Sequence, residues 1–475
     1  MKSTLFFICF VLTLSLLCEG FVKEPGLKLK NIHDKGSRFL CLLLSLCAAP
    51  AYSHYGKDKF SIVYQWRFLE YAYDTPQLKQ NDLNTGNLIP RKPAPIDVDV
   101  YYDRSSGVRK IFVTSPRFQD GVPAALGTVV VDKNRMPYVK PYPSWEWFKE
   151  PRKCKTNRIV SVYRIMIDEC DRLWVLDNGQ LDAGVICPPQ VLAFDLKTNQ
   201  LIHRYEIPRA NYEDQSTFVT PIVEVRSREN QCRDTFLYLA DCSAFTLIVY
   251  DVAKGRSWKI KNMNMYPDPN FGTYNIAGES FDLMDGILGM GLSPYHPREG
   301  RKLFYHAMSS DTEHWVYTKD LQNETKAGDS SILHNYKGRR GTQSAAEAID
   351  AQGIMYFGLM NEVNLACFNT LGEYGRNCSS TDIVANNHET LQFISGIKVI
   401  NAPNGQQEVW IVSSRFQKVA TDNIKNSEFN FRIQVASVRD LKLGTRCAQQ
   451  YPVPGGPGSV PGSGPIVFPE SRKKK

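Results

Sequence analysis

The sequence predicts an all-β protein, a six-bladed β-propeller with a central channel. Three observations point there. Short apolar, β-rich runs recur along the body while helical periodicity is scarce. Those runs fall into three sets of six. Aromatic residues are plentiful, with 24 Phe, 23 Tyr and 7 Trp in 475 residues, enough to fill a large core. An irregular β-sandwich is the competing architecture.

The first set of runs is KIFVTSPRF (110–118), RLWVLDN (172–178), FLYLADC (236–242), LFYHAMSS (303–310), MYFGLMN (355–361) and VWIVSSRF (409–416), with starts 62, 64, 67, 52 and 54 residues apart. A second set follows each of these, at 128–132, 191–196, 246–251, 314–318, 365–369 and 431–437. A third precedes each, at 96–102, 159–167, 221–226, 286–293, 344–350 and 395–400. Strand, turn, strand, loop, strand is therefore repeated six times. A period of this size marks a solenoid, a propeller or an array. A propeller blade needs a fourth strand, which HRYEIP (203–208) and RSWKI (256–260) supply in two repeats. FSIVYQWRFLEYAY (60–73) stands before the first repeat and is expected to close the ring on the last blade, since an open ring leaves unpaired edges.

The net charge of +8 is concentrated at the ends. Residues 1–54 carry six Lys/Arg against three acids, and 448–475 carry four against one, so the body is near +2. No basic stripe with interleaved aromatics stands out, and nucleic-acid binding is not expected. Residues 1–20, MKSTLFFICFVLTLSLLCEG, have the shape of a secretory signal and are short for a membrane span. A second such run, FLCLLLSLCAAPAYS, lies at 39–53. Either the first is cleaved and the second is an insert, or the second belongs to the true secretory start; a membrane hairpin is a third arrangement. Residues 1–54 are read as signal and extension, 55–447 as the propeller, and 448–475 as a flexible Pro/Gly-rich basic tail. The mature protein is expected to be secreted, with no membrane segment. Eight of the 12 cysteines lie outside the apolar runs: Cys154, Cys170, Cys187, Cys232, Cys242, Cys367, Cys378 and Cys447. An even number in an exported chain suggests disulfides. With no CxxC pair and no Cys/His cluster, no metal site and no cofactor are expected. Asn323 and Asn377 head glycosylation sequons.

DECDRLWVLDNG (168–179), CPPQVLAFDL (187–196), DTFLYLADCSAFTLIVYD (234–251), LQFISGIKV (391–399) and the N-terminal VYQWRFLEYAYD together resemble the insect Yellow / major royal jelly protein family, in order from about residue 60 to about 447. The resemblance implies a secreted six-bladed propeller, in agreement with the spacing. It also implies one of several functions: pigmentation and melanin formation, in some members with dopachrome conversion; biogenic-amine binding in the central channel; or a structural or nutritional secretory role. Fold is better fixed than chemistry by such a match.

The acids Asp168, Glu169 and Asp171 beside Cys170 suggest a reactive cluster, but the repeat places them in the turn between the first two strands of a blade, away from the channel mouth. Cys232 holds the equivalent turn of the next blade, so Cys170 and Cys232 are expected to pair. Shared faces suggest Cys154 with Cys187 and Cys378 with Cys447. At the mouth, Thr342, Gln343 and Ser344 lead into the fifth blade, and Asn361 and Asn364 return to the same face. These groups could hydrogen-bond a small aromatic amine or a catechol-derived ligand. Phe271, Tyr274 and Phe281 supply an aromatic wall, and Glu279 or Glu347 a carboxylate for an ammonium or for proton transfer. Ordinary loop and packing roles remain open for all of them. His306, His314 and His334 fall in and after the fourth blade and read as packing or surface residues. No axial set of acids for calcium and no GxSxG elbow is visible. The leading reading is a Yellow-like protein holding a small aromatic ligand in its channel, with catalysis, plain binding and a structural role as its variants.

Overall fold

The structure is a computed structural model that describes residues 59–448 except 104, 183 and 377. The two N-terminal apolar runs, the tail beyond 448 and Asn377 lie outside the described residues.

Six four-stranded antiparallel sheets follow one another along the chain. Blade 1 is Val98–Tyr102, Arg109–Thr114, Leu126–Val131 and Pro137–Pro141. Blade 2 is Val162–Ile167, Arg172–Asp177, Gln190–Asp195 and Leu201–Glu206. Blade 3 is Phe218–Val225, Thr235–Asp241, Thr246–Asp251 and Arg256–Lys261. Blade 4 is Ile287–Leu292, Lys302–Ala307, His314–Tyr317 and Leu333–Asn335. Blade 5 is Glu347–Ile349, Ile354–Leu359, Asn364–Asn369 and Thr381–Asn386. Blade 6 takes Ile394–Asn401, Gln407–Ser413 and Phe431–Ser437 from the C-terminal end, and its outer strand, Ser61–Trp66, from the N-terminal end. The closing strand pairs in antiparallel register, Ser61 with Val435 and Trp66 with Phe431. First strands of successive blades touch one another all the way round, so they form the inner ring.

Burial follows position in the blade. Every residue of Thr235–Asp241 is buried, because a second strand is flanked in its sheet and covered by neighbouring blades on both faces. Outer strands such as Arg256–Lys261 mix buried Trp258 and Ile260 with exposed ends. The fourth strands hardest to see in sequence are short or proline-bounded, such as Leu333–Asn335 and Pro137–Pro141; proline is tolerated there because an edge strand can do without one ladder donor.

The DECD segment is a turn whose acid has structural partners. Asp168 accepts from the backbone N–H groups of Cys170 and Arg172 at 2.9 and 3.1 Å, and from Arg172 Nε and Trp174 Nε1, both at 2.7 Å. Arg172 then donates to Cys232 O and Thr235 Oγ1 of blade 3. Asp177, at the other end of the strand, accepts from the backbone of Val160, Ser161 and Gly179 and from the side chains of Arg158 and Gln190. Gly179 has φ of 68°, and a Cβ there would sit 2.0 Å from Cys187 O, so the turn requires glycine.

Cys170 bonds Cys232 and Cys154 bonds Cys187. The third bridge corrects the sequence reading: Cys447 joins Cys367, and Cys378 is a free thiol, as is the buried Cys242. The C-terminal turn Arg446–Ala448 lies against the outer strands of blade 5, with Asn369 Nδ2 on Cys447 O at 3.1 Å and the Arg446 N–H on Asp382 at 3.0 Å. That docking delivers Cys447 to the sheet surface at the third strand, whereas the face argument had sent it to the loop beyond. No helix among the described residues is long and apolar enough to cross a membrane.

Candidate functional site

The channel is closed at mid-height by one side chain. Arg164, in the inner strand of blade 2, is buried and reaches across the axis. Its Nη1 donates to Thr220 Oγ1 of blade 3 at 2.8 Å and to Leu288 O of blade 4 at 2.9 Å. Its Nη2 donates to Ala345 O of blade 5 at 2.7 Å and to Ser395 O of blade 6 at 2.8 Å. Blade 1 joins through Asp97, which accepts from Ile165 N and from Lys398 Nζ at 2.7 and 2.8 Å. A charged residue inside the strand VYRIMI was the available sequence signal, and the apolar pattern around it hid it. Beyond Arg164, toward the ends of the inner strands, lies a cavity of about 120 Å³ whose polar lining includes Asp97, Arg164, Thr220, Glu347 and Lys398. Burial pushes the neighbouring Asp99 carboxyl up to about 7, against the pull of Lys398.

On the other side of Arg164, where the inner strands begin, the mouth is covered. A hairpin, Thr273–Ile276 paired with Glu279–Asp282, leaves the connection between blades 3 and 4. Gln343 holds its base, donating from Nε2 to Phe271 O at 2.9 Å and to Thr273 O at 2.8 Å. Glu279 holds its tip to blade 6, accepting from Thr421 Oγ1 and Asn423 Nδ2 at 3.2 and 2.6 Å. Tyr274 is fully buried, stacks on Phe281 at 4.9 Å and shares a 2.7 Å hydrogen bond with Ser309 Oγ. Phe281 meets Phe416 edge-on at 6.0 Å, and Phe416 also contacts Phe393 and Phe118. Phe118 in turn stacks on Tyr163 of blade 2 at 6.4 Å.

The structure thus brings Phe271, Tyr274, Phe281, Glu279 and Gln343 together, in a lid over the channel. Thr342 is buried and accepts the Asn361 N–H at 3.2 Å, with the Asn361 side chain exposed. Ser344 is buried and turns its carbonyl to His306. Asn364 stands apart from the channel, lining a cavity of about 190 Å³ in blade 5 with Glu362, Arg376, Asp382 and Arg446. Asn323 is exposed at the head of a short turn.

Asp285, which no motif singles out, lies two residues before the inner strand of blade 4. Its backbone is fixed by Ser309, with N–H to Oγ at 3.1 Å and carbonyl to N at 3.0 Å. Its carboxylate has no hydrogen-bond or charged partner among the described residues, and burial alone pushes it up to about 6. Tyr163, Tyr274 and Cys242 lie close enough to feel its charge. A carboxyl poised near neutrality beside phenols is a chemically competent proton acceptor.

Between blades 4 and 5, His306 Nδ1 lies 2.9 Å from Glu313 Oε2 and 3.0 Å from Glu347 Oε2, and all three side chains are buried. The ring fits because its neighbour is Gly289, where a Cβ would fall 2.2 Å from Nε2. Burial and then Glu347 push the Glu313 carboxyl up to about 7. His314 is engaged by Thr312 and Asn335 and held down at about 4 by burial, and His334 stacks on Trp315 at 4.0 Å.

Residues 160–447 match the family model described as major royal jelly protein. The chain is 38% identical to major royal jelly protein 9 of Apis mellifera over 405 residues, which covers 82% of this chain and 90% of that one. This chain belongs to the Yellow / major royal jelly protein family. Dopaminechrome tautomerase of Drosophila melanogaster is 32% identical over 402 residues, covering 82% of this chain and 84% of its own. Protein yellow of Drosophila yakuba is 31% identical over 440 residues, covering 90% and 77%. The family-model match covers blades 2 to 5 and the C-terminal strands of blade 6, so the lid hairpin, Asp285 and Arg164 fall within it.

Proposed function

We propose that this Yellow-family protein works outside the cytosol in the melanin-forming setting, converting an aminochrome to its dihydroxyindole tautomer at the lidded mouth of the channel. The observation that carries the reading is Asp285, a half-buried carboxylate without a hydrogen-bond or charged partner among the described residues, raised to about 6 by desolvation beside the aromatic lid. In the reaction its carboxylate removes a proton from a ring carbon of the aminochrome. The C–H electrons move into the ring and one quinone oxygen takes up a proton, giving a quinone methide; the same shift from the adjacent ring carbon to the second quinone oxygen completes the dihydroxyindole, so two C–H bonds break and two O–H bonds form. Atoms and electrons balance within the substrate, so no oxidant or nucleotide is required. Phe281, Phe416 and Tyr163 offer faces and edges on which a flat bicyclic ring can stack. One relative bears the name dopaminechrome tautomerase, which supports this reaction class. The three disulfides support an oxidising compartment.

The same carboxylate also favours a second reading, since it could pair with the ammonium of a biogenic amine that is bound and not converted. One pair of measurements separates the two. Purified protein is mixed with dopachrome and dopaminechrome, and their decay is followed against the spontaneous rate. Calorimetry is run with dopamine and serotonin. Acceleration supports the tautomerase. Heat without acceleration supports the binder. Neither result leaves a structural secreted role and overturns both readings.

A further inference from the structure

We propose that His306, Glu313 and Glu347 hold a divalent transition-metal cation between blades 4 and 5. The three side chains come from separate segments: the second strand of blade 4, the turn after it, and the inner strand of blade 5. Their donor atoms all lie within 4.8 Å of one another. His306 Nε2 faces Ser344 O at 3.1 Å. An N–H donated to that carbonyl places the lone pair of the neutral imidazole on Nδ1, the arrangement by which a backbone carbonyl orients a ligating histidine. That lone pair then points at two carboxylate oxygens 2.9 and 3.0 Å away. Three electron-rich atoms converge here, and although Glu347 also borders the cavity at the axis, its oxygens are shielded and unpartnered, which calls for a positive centre between them.

A proton on Nδ1 is the simplest such centre, and with Arg340 Nη1 3.5 Å from Glu313 it would balance the charge. It does not satisfy the geometry. The Nδ1 hydrogen bond runs to Glu313 Oε2. Glu347 Oε2 is near but out of line, and both Glu347 oxygens, with Glu313 Oε1, are buried with no hydrogen-bond partner. A carboxylate wholly inside the protein with no donor is among the costliest arrangements a fold can hold. One cation bound by Nδ1 and an oxygen from each carboxylate gives both carboxylates the positive partner that the hydrogen bonds leave out. One imidazole and two carboxylates suit zinc, manganese or iron(II) better than calcium, which prefers an all-oxygen shell.

The test uses the full chain, purified without chelator or metal-affinity resin. Elemental analysis is expected to find about one equivalent of a first-row divalent metal per chain, and its identity is read from the same spectrum. Dialysis against dipicolinate is expected to lower the melting temperature by several degrees, and Zn²⁺ to restore it. Glu347→Gln keeps the side chain's shape and removes a ligand charge. It is expected to lose the stoichiometric metal and the zinc-dependent part of the melting temperature while remaining folded by circular dichroism. Glu313→Gln serves as the second variant if that one does not fold. Wild-type protein with no stoichiometric metal and no response to Zn²⁺ would overturn the proposal and leave His306 as a buried imidazolium. Metal retained equally by the folded variant would place it elsewhere and also overturn it. These readouts do not depend on activity toward aminochromes.

Discussion

Replacing Asp285 with asparagine keeps the side chain's shape and removes its titratable proton. Burial raises this carboxyl from 3.8 to about 6, so between those values the folded chain holds a proton that the unfolded chain has lost. The stability it contributes is therefore complete below about pH 4 and disappears as pH rises through about 6. At about 1.4 kcal/mol per unit, the shift converts to about 3 kcal/mol at most. Asp285 keeps partial solvent contact, so about 1–2 kcal/mol is expected after screening. The amide does not ionise and escapes that loss. Asp285→Asn should therefore be more stable than wild type at about pH 8 by 1–2 kcal/mol, about 1–2 °C in Tm for a domain of this length, and level with it near pH 4. On an aminochrome the same variant should lose about 10²-fold or more in kcat/KM. The wild-type rate should climb with pH and level off above about 6, as the carboxylate ionises. Calorimetric melts at the two pH values and stopped-flow absorbance of aminochrome decay measure both effects. A variant destabilised equally at both pH values would mean that the carboxylate is a hydrogen-bonding member of the fold. That result, or full activity in the variant, refutes the reasoning.

Arg164→Met should cost about 2–6 kcal/mol, since Ala345 O and Ser395 O lose this donor at about 1–3 kcal/mol each while Leu288 O keeps the Thr220 hydroxyl; a melting temperature within a degree of wild type would show that the axis tolerates an apolar plug. Cys367→Ser should lose about 2–4 kcal/mol in denaturant unfolding while Cys378→Ser stays within about 0.5 kcal/mol, and peptide mapping that finds Cys378 bridged would reverse the assignment. Glu279→Ala removes the ties to Thr421 and Asn423 at the lid tip. Because that contact is exposed, stability should change by less than about 1 kcal/mol. The association rate of a channel ligand should rise several-fold in stopped-flow fluorescence, and an unchanged rate would mean that the lid does not gate access.

The ring was legible because a blade is a local object. Its second strand has an apolar middle, as in Leu237, Tyr238 and Leu239, and its turns carry acids such as Asp168 whose partners lie within six residues. The Cys170–Cys232 bridge was legible for the same reason, since two equivalent turns sit side by side in neighbouring blades. Cys447 was misassigned because its partner depends on how the C-terminal turn docks on a sheet surface, which no repeat encodes.

The axis follows the opposite rule. Arg164 meets Leu288, Ala345 and Ser395 at sequence separations of 124, 181 and 231, so its partners appear only when the ring closes. His306 read as a packing residue because its two carboxylates lie on other segments, one of them on the next blade. Asp285 carries no motif, and what distinguishes it is the lack of a hydrogen-bond or charged partner among the described residues, which a sequence cannot display. The lid residues were found for their chemistry, as aromatics and polar groups near one rim, yet Tyr274 and Gln343 use that chemistry to hold the hairpin down. On the proposed reading, a ring bound under the lid competes with the stacking among Tyr274, Phe281 and Phe416. On this argument selectivity rests on how well a flat ring replaces the stacking that the lid gives up, with the carboxylate choosing among the rings that succeed.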